Sequence, residues 1–259
     1  MEIIILDTEE ELARLAADAI VRRVQRSPDL VLGLATGSTP LPLYRDLAQR
    51  HAAGVNFSSV RGFALDEYVG LPPEHTQSYA HYIAENVTGP LGLRPELVHL
   101  PDGNADDLEE AARRYEHAIR ASGGVDVQIL GIGANGHIGF NEPGSSLLSR
   151  TRIKTLTSKT RHDNARFFTS LDDVPSHCLT QGLGTILDAR TAFLFAFGGH
   201  KAEAVARAVE GPVSASCPAS VLQLHQHAVF FVDRAAAAQL RRSDYYQETW
   251  AAKPAWQLL

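Results

Sequence analysis

Histidine, amide and carboxylate side chains crowd into one glycine-rich stretch, Gly131-Ile132-Gly133-Ala134-Asn135-Gly136-His137-Ile138-Gly139-Phe140-Asn141-Glu142-Pro143. An imidazole held by a neighbouring amide or carboxylate can move protons near neutral pH. The glycines let the backbone turn and come close to a ligand. A lone Gly-His pair is more often a turn around a satisfied histidine, so the reading needs support from elsewhere in the chain. Three other stretches supply it. Asp66-Glu67 follows an apolar run, and burial there would raise a carboxyl pKa and make it a better base. Thr36-Gly37-Ser38-Thr39-Pro40 joins an apolar run to a helical one, where free N–H groups, the helix dipole and two hydroxyls suit a small anion. It fits neither GxxxxGK[ST] nor GxGxxG, so a phosphate suits it better than a nucleotide. Lys201 falls in the first turn of a helix, where a cation is disfavoured by roughly 0.3–1 kcal/mol, which implies a neighbouring anion.

The elements that must position these groups alternate. Strands are expected at Ile3–Leu6, Leu30–Ala35, Val60–Leu65, Val125–Leu130, Thr191–Phe197 and Ala228–Asp233, each apolar enough for a buried strand. Between them lie helical patterns: one opened by a Thr8-to-Glu11 capping box, one over Leu41–Leu47, one at Ser78–Ile83, and a crossover within 102–121. Ala202–Val209 and Arg234–Arg242 also read as helices, and Ser158–Phe168 and Val174–Ile186 as two more around a polar turn. Ser145 to Lys154 gathers hydroxyls and cations and reads as a solvated surface strand before a second anion site. The tail to Leu259 is aromatic-rich and has no clear pattern. The expected fold is α/β: a doubly wound, mainly parallel sheet with helices on both faces, a Rossmann-like three-layer arrangement, as one domain over 1–259. Such a sheet gathers the C-terminal ends of its strands on one edge, bringing Thr36–Thr39, Asp66, Asn135–Glu142 and Gly198–Lys201 together.

Composition narrows the classes. The 259 residues are 44% hydrophobic with a net charge of -6 and no basic cluster, which argues against nucleic acid. No apolar run is long enough to span a membrane, and no secretory leader pattern opens the chain, so a cytoplasmic protein is expected. Cys178 and Cys217 lack metal-ligand or disulfide spacing. With no nucleotide loop, metal cage or Schiff-base lysine context, the chemistry expected is proton transfer without metal or cofactor. A sugar phosphate suits it: a carboxylate moves a proton between adjacent carbons, and a histidine moves the one that opens the pyranose ring.

These residues resemble the glucosamine-6-phosphate deaminase (isomerising) family. The likeness runs through LATGSTP at 34–40, LDEYVGL at 65–71, GANGHIGFNEP at 133–143, SRTRIKTL at 149–156 and the segments around Arg166 and Lys201. It implies conversion of glucosamine 6-phosphate and water to fructose 6-phosphate and ammonium. By that resemblance Asp66 carries the C2/C1 proton, and His137 opens the ring with Asn135 and Glu142. Thr36, Gly37, Ser38, Thr39, Gly131, Arg166 and Lys201 match substrate- and phosphate-binding positions, and 156–176 matches a mobile lid. Many members have Asp where this chain has Asn135; an amide orients an imidazole but brings no charge, which leaves the electrostatic role to Glu142. Ser145, Ser146, Arg152 and Lys154 match a second site at which N-acetylglucosamine 6-phosphate activates some members, and a homo-oligomer is expected. The rivals are a 6-phosphogluconolactonase-like hydrolase and a non-catalytic sugar-phosphate sensor. The wording of the two long motifs disfavours the first, and the missing DNA-binding segment disfavours the second.

Overall fold

The computed structural model describes residues 1–157, 161, 165, 168 and 170–259. Helix α1 (Glu9–Arg26) opens with the expected capping box: Glu11 N–H donates to Thr8 Oγ1 and Thr8 N–H to Glu11 Oε2, both at 3.2 Å. Its apolar stripe, including Leu12, Ala16, Ile20 and Val24, packs inward.

Seven strands form the central sheet: β1 (Glu2–Leu6), β2 (Val31–Leu34), β3 (Arg61–Ala64), β5 (Val98–His99), β6 (Val127–Gly131), β9 (Thr191–Ala196) and β10 (Ala228–Asp233). Their order is β1-β10-β9-β6-β2-β3-β5, and every pair is parallel. Alternation along β2 assigns its two faces. Leu32 and Leu34 join the main core with α1 and α2 (Leu41–Ala52), whereas Val31 packs with Phe63, Tyr115 and Ile119, the last two from α4 (Leu108–Ala121). Helices therefore cover both faces, as expected. Gly33 is required by its neighbour: a Cβ there would fall 2.1 Å from Oε1 of Gln128, its register partner on β6.

A second sheet was not foreseen. Strands β4 (Asp66–Tyr68), β8 (His177–Thr180) and β7 (Arg152–Thr155) pair antiparallel in the order β4-β8-β7. Asp66 thus does not end β3; it begins β4. The surface strand expected near Arg152 is β7, with Ile153 and Thr155 exposed. The reading of Val174–Ile186 as one helix is corrected: it is strand β8 followed by the short helix α5 (Leu183–Leu187). Two partner strands satisfy the backbone of 177–180, and Gly182 breaks the helical run, since a Cβ there would meet the Ser149 carbonyl at 2.1 Å. The helix read at Arg234–Arg242 is also absent. Asp233 takes the N–H of Ala236 at 2.6 Å and of Gly198 at 2.8 Å, tying this stretch into turns. Helix α7 (Ser243–Ala251) forms instead, with Arg241 and Arg242 N–H donating to Glu210 at the end of α6 (Ala202–Glu210). Most of the helix read at Ser158–Phe168, and with it Arg166 and part of the expected lid at 156–176, lies outside the described residues. Among the described residues no helix is long and apolar enough to cross a membrane.

Candidate active site

From β2 the chain moves outward through β3 and β5, then returns to the other side of β2 as β6 and continues outward through β9 and β10. The winding reverses between β2 and β6, and a crevice at the C-terminal ends of strands flanking such a reversal is where open α/β sheets bind ligands. The loop after β2 holds Thr36, Gly37, Ser38 and Thr39, with Gly37 and Ser38 exposed. Gly37 has φ +90°, a backbone conformation that suits glycine, and Tyr82 Oη donates to its carbonyl at 2.6 Å. The Thr39 side chain borders the end of β6: a Cβ on Gly131 would lie 3.8 Å from Thr39 Cβ. The 36–39 loop and the glycine-rich stretch therefore meet across the crevice.

The loop after β6 is tight, with Gly136 N–H donating to Gly133 O and Gly133 N–H to His137 O, both at 2.9 Å. Within it a directional chain of hydrogen bonds forms. Asn135 Nδ2 donates to Glu142 Oε2 at 2.6 Å, which orients the amide so that Oδ1 faces His137 as an acceptor. His137 Nδ1 lies 2.7 Å from that oxygen and its backbone N–H 3.1 Å. Oδ1 can only accept, so Nδ1 carries the proton and Nε2 is the basic nitrogen. Glu142 Oε1 stands 3.7 Å from Nδ1, close enough to stabilise an imidazolium.

Gly139 of the same loop brings Asp66 to this centre. A Cβ at Gly139 would lie 3.4 Å from Asp66 Oδ2 and 3.1 Å from Thr180 Oγ1. Asp66 is buried, and burial, reinforced by the Glu67 carboxylate, pushes its pKa up to about 8, against a hydrogen bond from Thr180 that draws it down. Thr180 Oγ1 also accepts from Phe140 N–H at 3.2 Å, so β8 couples Asp66 to the loop. Glu67 does different work: its carboxylate accepts the N–H groups of Tyr68, Tyr79 and Ala80 at 2.8–3.0 Å, fixing α3 (Tyr79–Ile83) against β4. Tyr68, Tyr79 and Phe140 pack together beside it.

Lys201 ends the short turn Gly199–Lys201 that follows β9 and leads into α6. Ser145, buried, and Ser146 follow Glu142 in a turn closed by Ser145 N–H on Glu142 O at 3.0 Å. Arg152 and Lys154 share the half-buried face of β7. No group of three or more metal-ligating side chains comes together among the described residues. Residue patterns do not pick out a site role for Thr180 or Tyr82, whose partners Phe140 and Gly37 are some forty positions away.

Residues 7–231 match the family model for glucosamine-6-phosphate isomerases/6-phosphogluconolactonase. The glucosamine-6-phosphate deaminase of Arthrobacter sp. (strain FB24) is 59% identical, with 99% of each chain covered. A solved structure described as a monomeric glucosamine-6-phosphate deaminase is 43% identical with a TM-score of 0.89, covering 92% of this chain and all of that one. The 6-phosphogluconolactonase of Trypanosoma cruzi is 20% identical with a TM-score of 0.74, covering 93% of this chain and 97% of that one, a likeness of fold alone.

Proposed function

The chain belongs to the glucosamine-6-phosphate isomerase/6-phosphogluconolactonase family and, within it, to the glucosamine-6-phosphate deaminases; on that premise we propose that it converts glucosamine 6-phosphate and water to fructose 6-phosphate and ammonium. The observation that carries this reading is the meeting of two proton-transfer groups on one loop: the buried carboxyl of Asp66 against Gly139, and His137 with Nδ1 tied to Asn135.

In this reading the substrate phosphate sits on the 36–39 loop, at the N-terminus of α2, with Gly131 beside it and Lys201 and Arg166 as cations. Nε2 of His137 transfers the proton between the anomeric hydroxyl and the ring oxygen, opening the pyranose. Asp66 takes the proton from C2 and returns it to C1, while one proton of the C2 ammonium passes to the carbonyl oxygen; the aldehyde becomes an alcohol and C2 is left as an iminium. Water adds at that carbon and ammonium departs. The charge on Asp66 is stabilised when the substrate's ammonium binds nearby, so the site's high carboxyl pKa suits a base needed only with substrate bound.

A coupled assay for ammonium and fructose 6-phosphate, without added metal or nucleotide, tests the reaction. Hydrolysis of 6-phosphogluconolactone with no ammonium release from glucosamine 6-phosphate would return the lactonase reading, and saturable binding of the amino sugar phosphate without turnover the sensor. The second site is part of the proposal: Ser145, Ser146, Arg152 and Lys154 would take N-acetylglucosamine 6-phosphate between subunits of a homo-oligomer. Kinetics unchanged by that compound, or a monomer by sedimentation like the solved relative's description, would remove it. A cytoplasmic location fits a phosphorylated substrate.

A further inference from the structure

A cavity of about 570 Å3 opens at the other edge of the central sheet, where β1, β9 and β10 begin, roughly the length of a six-residue strand, about 20 Å, from the proposed active site. Its volume falls within the roughly 300–1,000 Å3 of small-molecule sites. Arg22, Arg23 and Arg26 from the last turns of α1 and Arg190 before β9 line it, with the chain's first and last residues at its border. Two carboxylate side chains share the lining and both are engaged. Asp126 pairs with Arg190 at 2.8 Å and accepts Val31 N–H at 2.8 Å, while Glu2 is held by Lys253 at 2.6 Å. The three arginines of α1 have no ion-pair partner among the described residues. Burial and the charges of Arg22 and Arg26 depress the pKa of Arg23, the reverse of what a neutralising partner does, although Asp126 opposes the shift.

Arginines in a final turn complement the helix dipole, and that accounts for the exposed Arg26. It does not account for Arg22, whose Nε is buried without a hydrogen-bond acceptor among the described residues. The unpartnered Nε of Arg22 stands beside the exposed Arg26 and beside Arg23, which donates to the Ala19 carbonyl at 3.2 Å and lies over the Phe193 ring; with an open cavity next to them, the three guanidiniums match a multivalent oxyanion. Leu30, Ala228, Val229 and Leu258 give the same cavity an apolar wall. We propose that this basal cavity binds a phosphate group, free or carried by a small organic molecule, at a site separate from the one that takes the sugar phosphate substrate.

The test is a backbone amide NMR titration of the full chain with inorganic phosphate and, separately, with glycerol 3-phosphate, against sodium chloride at matched ionic strength. The amides of Leu30, Thr191 and Ala228 are expected to shift saturably, and to lose that response in Arg22→Gln/Arg26→Gln while the Gly37 to Thr39 amides keep theirs. Saturation at a lower concentration of the ester assigns an organic phosphate, and saturation at a lower concentration of the ion a free one. Basal amides that do not move, or that move equally in the double variant, overturn the site. So does a response seen only after deletion of Leu258 and Leu259, since the chain's own terminal carboxylate would then be the occupant. Should the double variant not fold, Arg26→Gln, at an exposed position, reads the same amides. Silence at Gly37 to Thr39 alone would count against the proposed substrate site and leave the basal one standing.

Discussion

The imidazole of His137 lies against the α-carbon of Gly133, so that a Cβ at 133 would fall 2.1 Å from Cε1 and 2.3 Å from Nδ1. The glycine holds open the space in which the ring meets Asn135. Gly133→Ala must push the ring aside, and a displacement near 1 Å of a proton-transfer group costs about 10²-fold in rate. Steady-state assays of ammonium release should show that loss in kcat/KM with the melting temperature within a few degrees of wild type. Undiminished turnover would mean that His137 does not move the proton.

Asn135 and Glu142 divide the support of that ring. Asn135 Oδ1 makes the direct contact with Nδ1 at 2.7 Å, whereas the carboxylate of Glu142 reaches Nδ1 only at 3.7 Å and holds the amide in place. Charge stabilises an imidazolium more than an amide dipole does. Glu142→Gln is therefore expected to lower kcat by roughly 10²-fold, the low end of one acid–base group's contribution, and Asn135→Ala by less, about tenfold. Matching losses would show that amide and carboxylate act as one unit.

The parallel sheet and most of its strands are legible because β2, β6, β9 and β10 are short apolar runs ending in glycine or polar residues, and their polar ends mark the crevice. The small sheet is not legible. Tyr68 and Cys178 are register partners more than a hundred positions apart, and nothing local in His177–Thr180 distinguishes a strand buried between two others from a helical turn. For the same reason Thr180 escapes a sequence reading although it hydrogen-bonds the proposed base. The turns at 234–240 fail differently: an alanine-rich run has high helix propensity, but the Asp233 carboxylate spends its acceptors on Ala236 and Gly198 and bends the chain there.

Thr39 tests the anion loop. Its side chain borders Gly131 at the crevice, and a hydroxyl donating to a phosphate makes a charge-assisted bond of about 1.5–3 kcal/mol. The phosphate is remote from the reacting carbons, so its binding is felt in ground and transition states alike. Thr39→Val should raise KM about tenfold or more with kcat nearly unchanged. An equal fall in kcat with KM preserved would place Thr39 at the reacting carbons instead.

The carboxyl of Asp66 should govern the pH dependence of both rate and stability. As a base it acts when deprotonated, so kcat/KM is expected to rise with pH to a plateau, with its midpoint near the value of about 8 set by burial and Glu67. Thr180→Val removes the hydrogen bond that favours the charged form and should move the midpoint up; Glu67→Gln removes a repulsive charge and should move it down. Stability runs the other way. The folded-state pKa lies above the ordinary value of 3.8, so the folded chain retains a proton that the unfolded chain has released. That stabilisation is complete below pH 3.8 and is lost progressively as pH rises towards 8. Asp66→Asn carries no charge to bury. It should abolish turnover yet melt higher than wild type, by a margin that widens from pH 5 to pH 8 in differential scanning calorimetry. A margin that stays constant with pH would mean that Asp66 titrates normally, and would remove the buried base from the reaction.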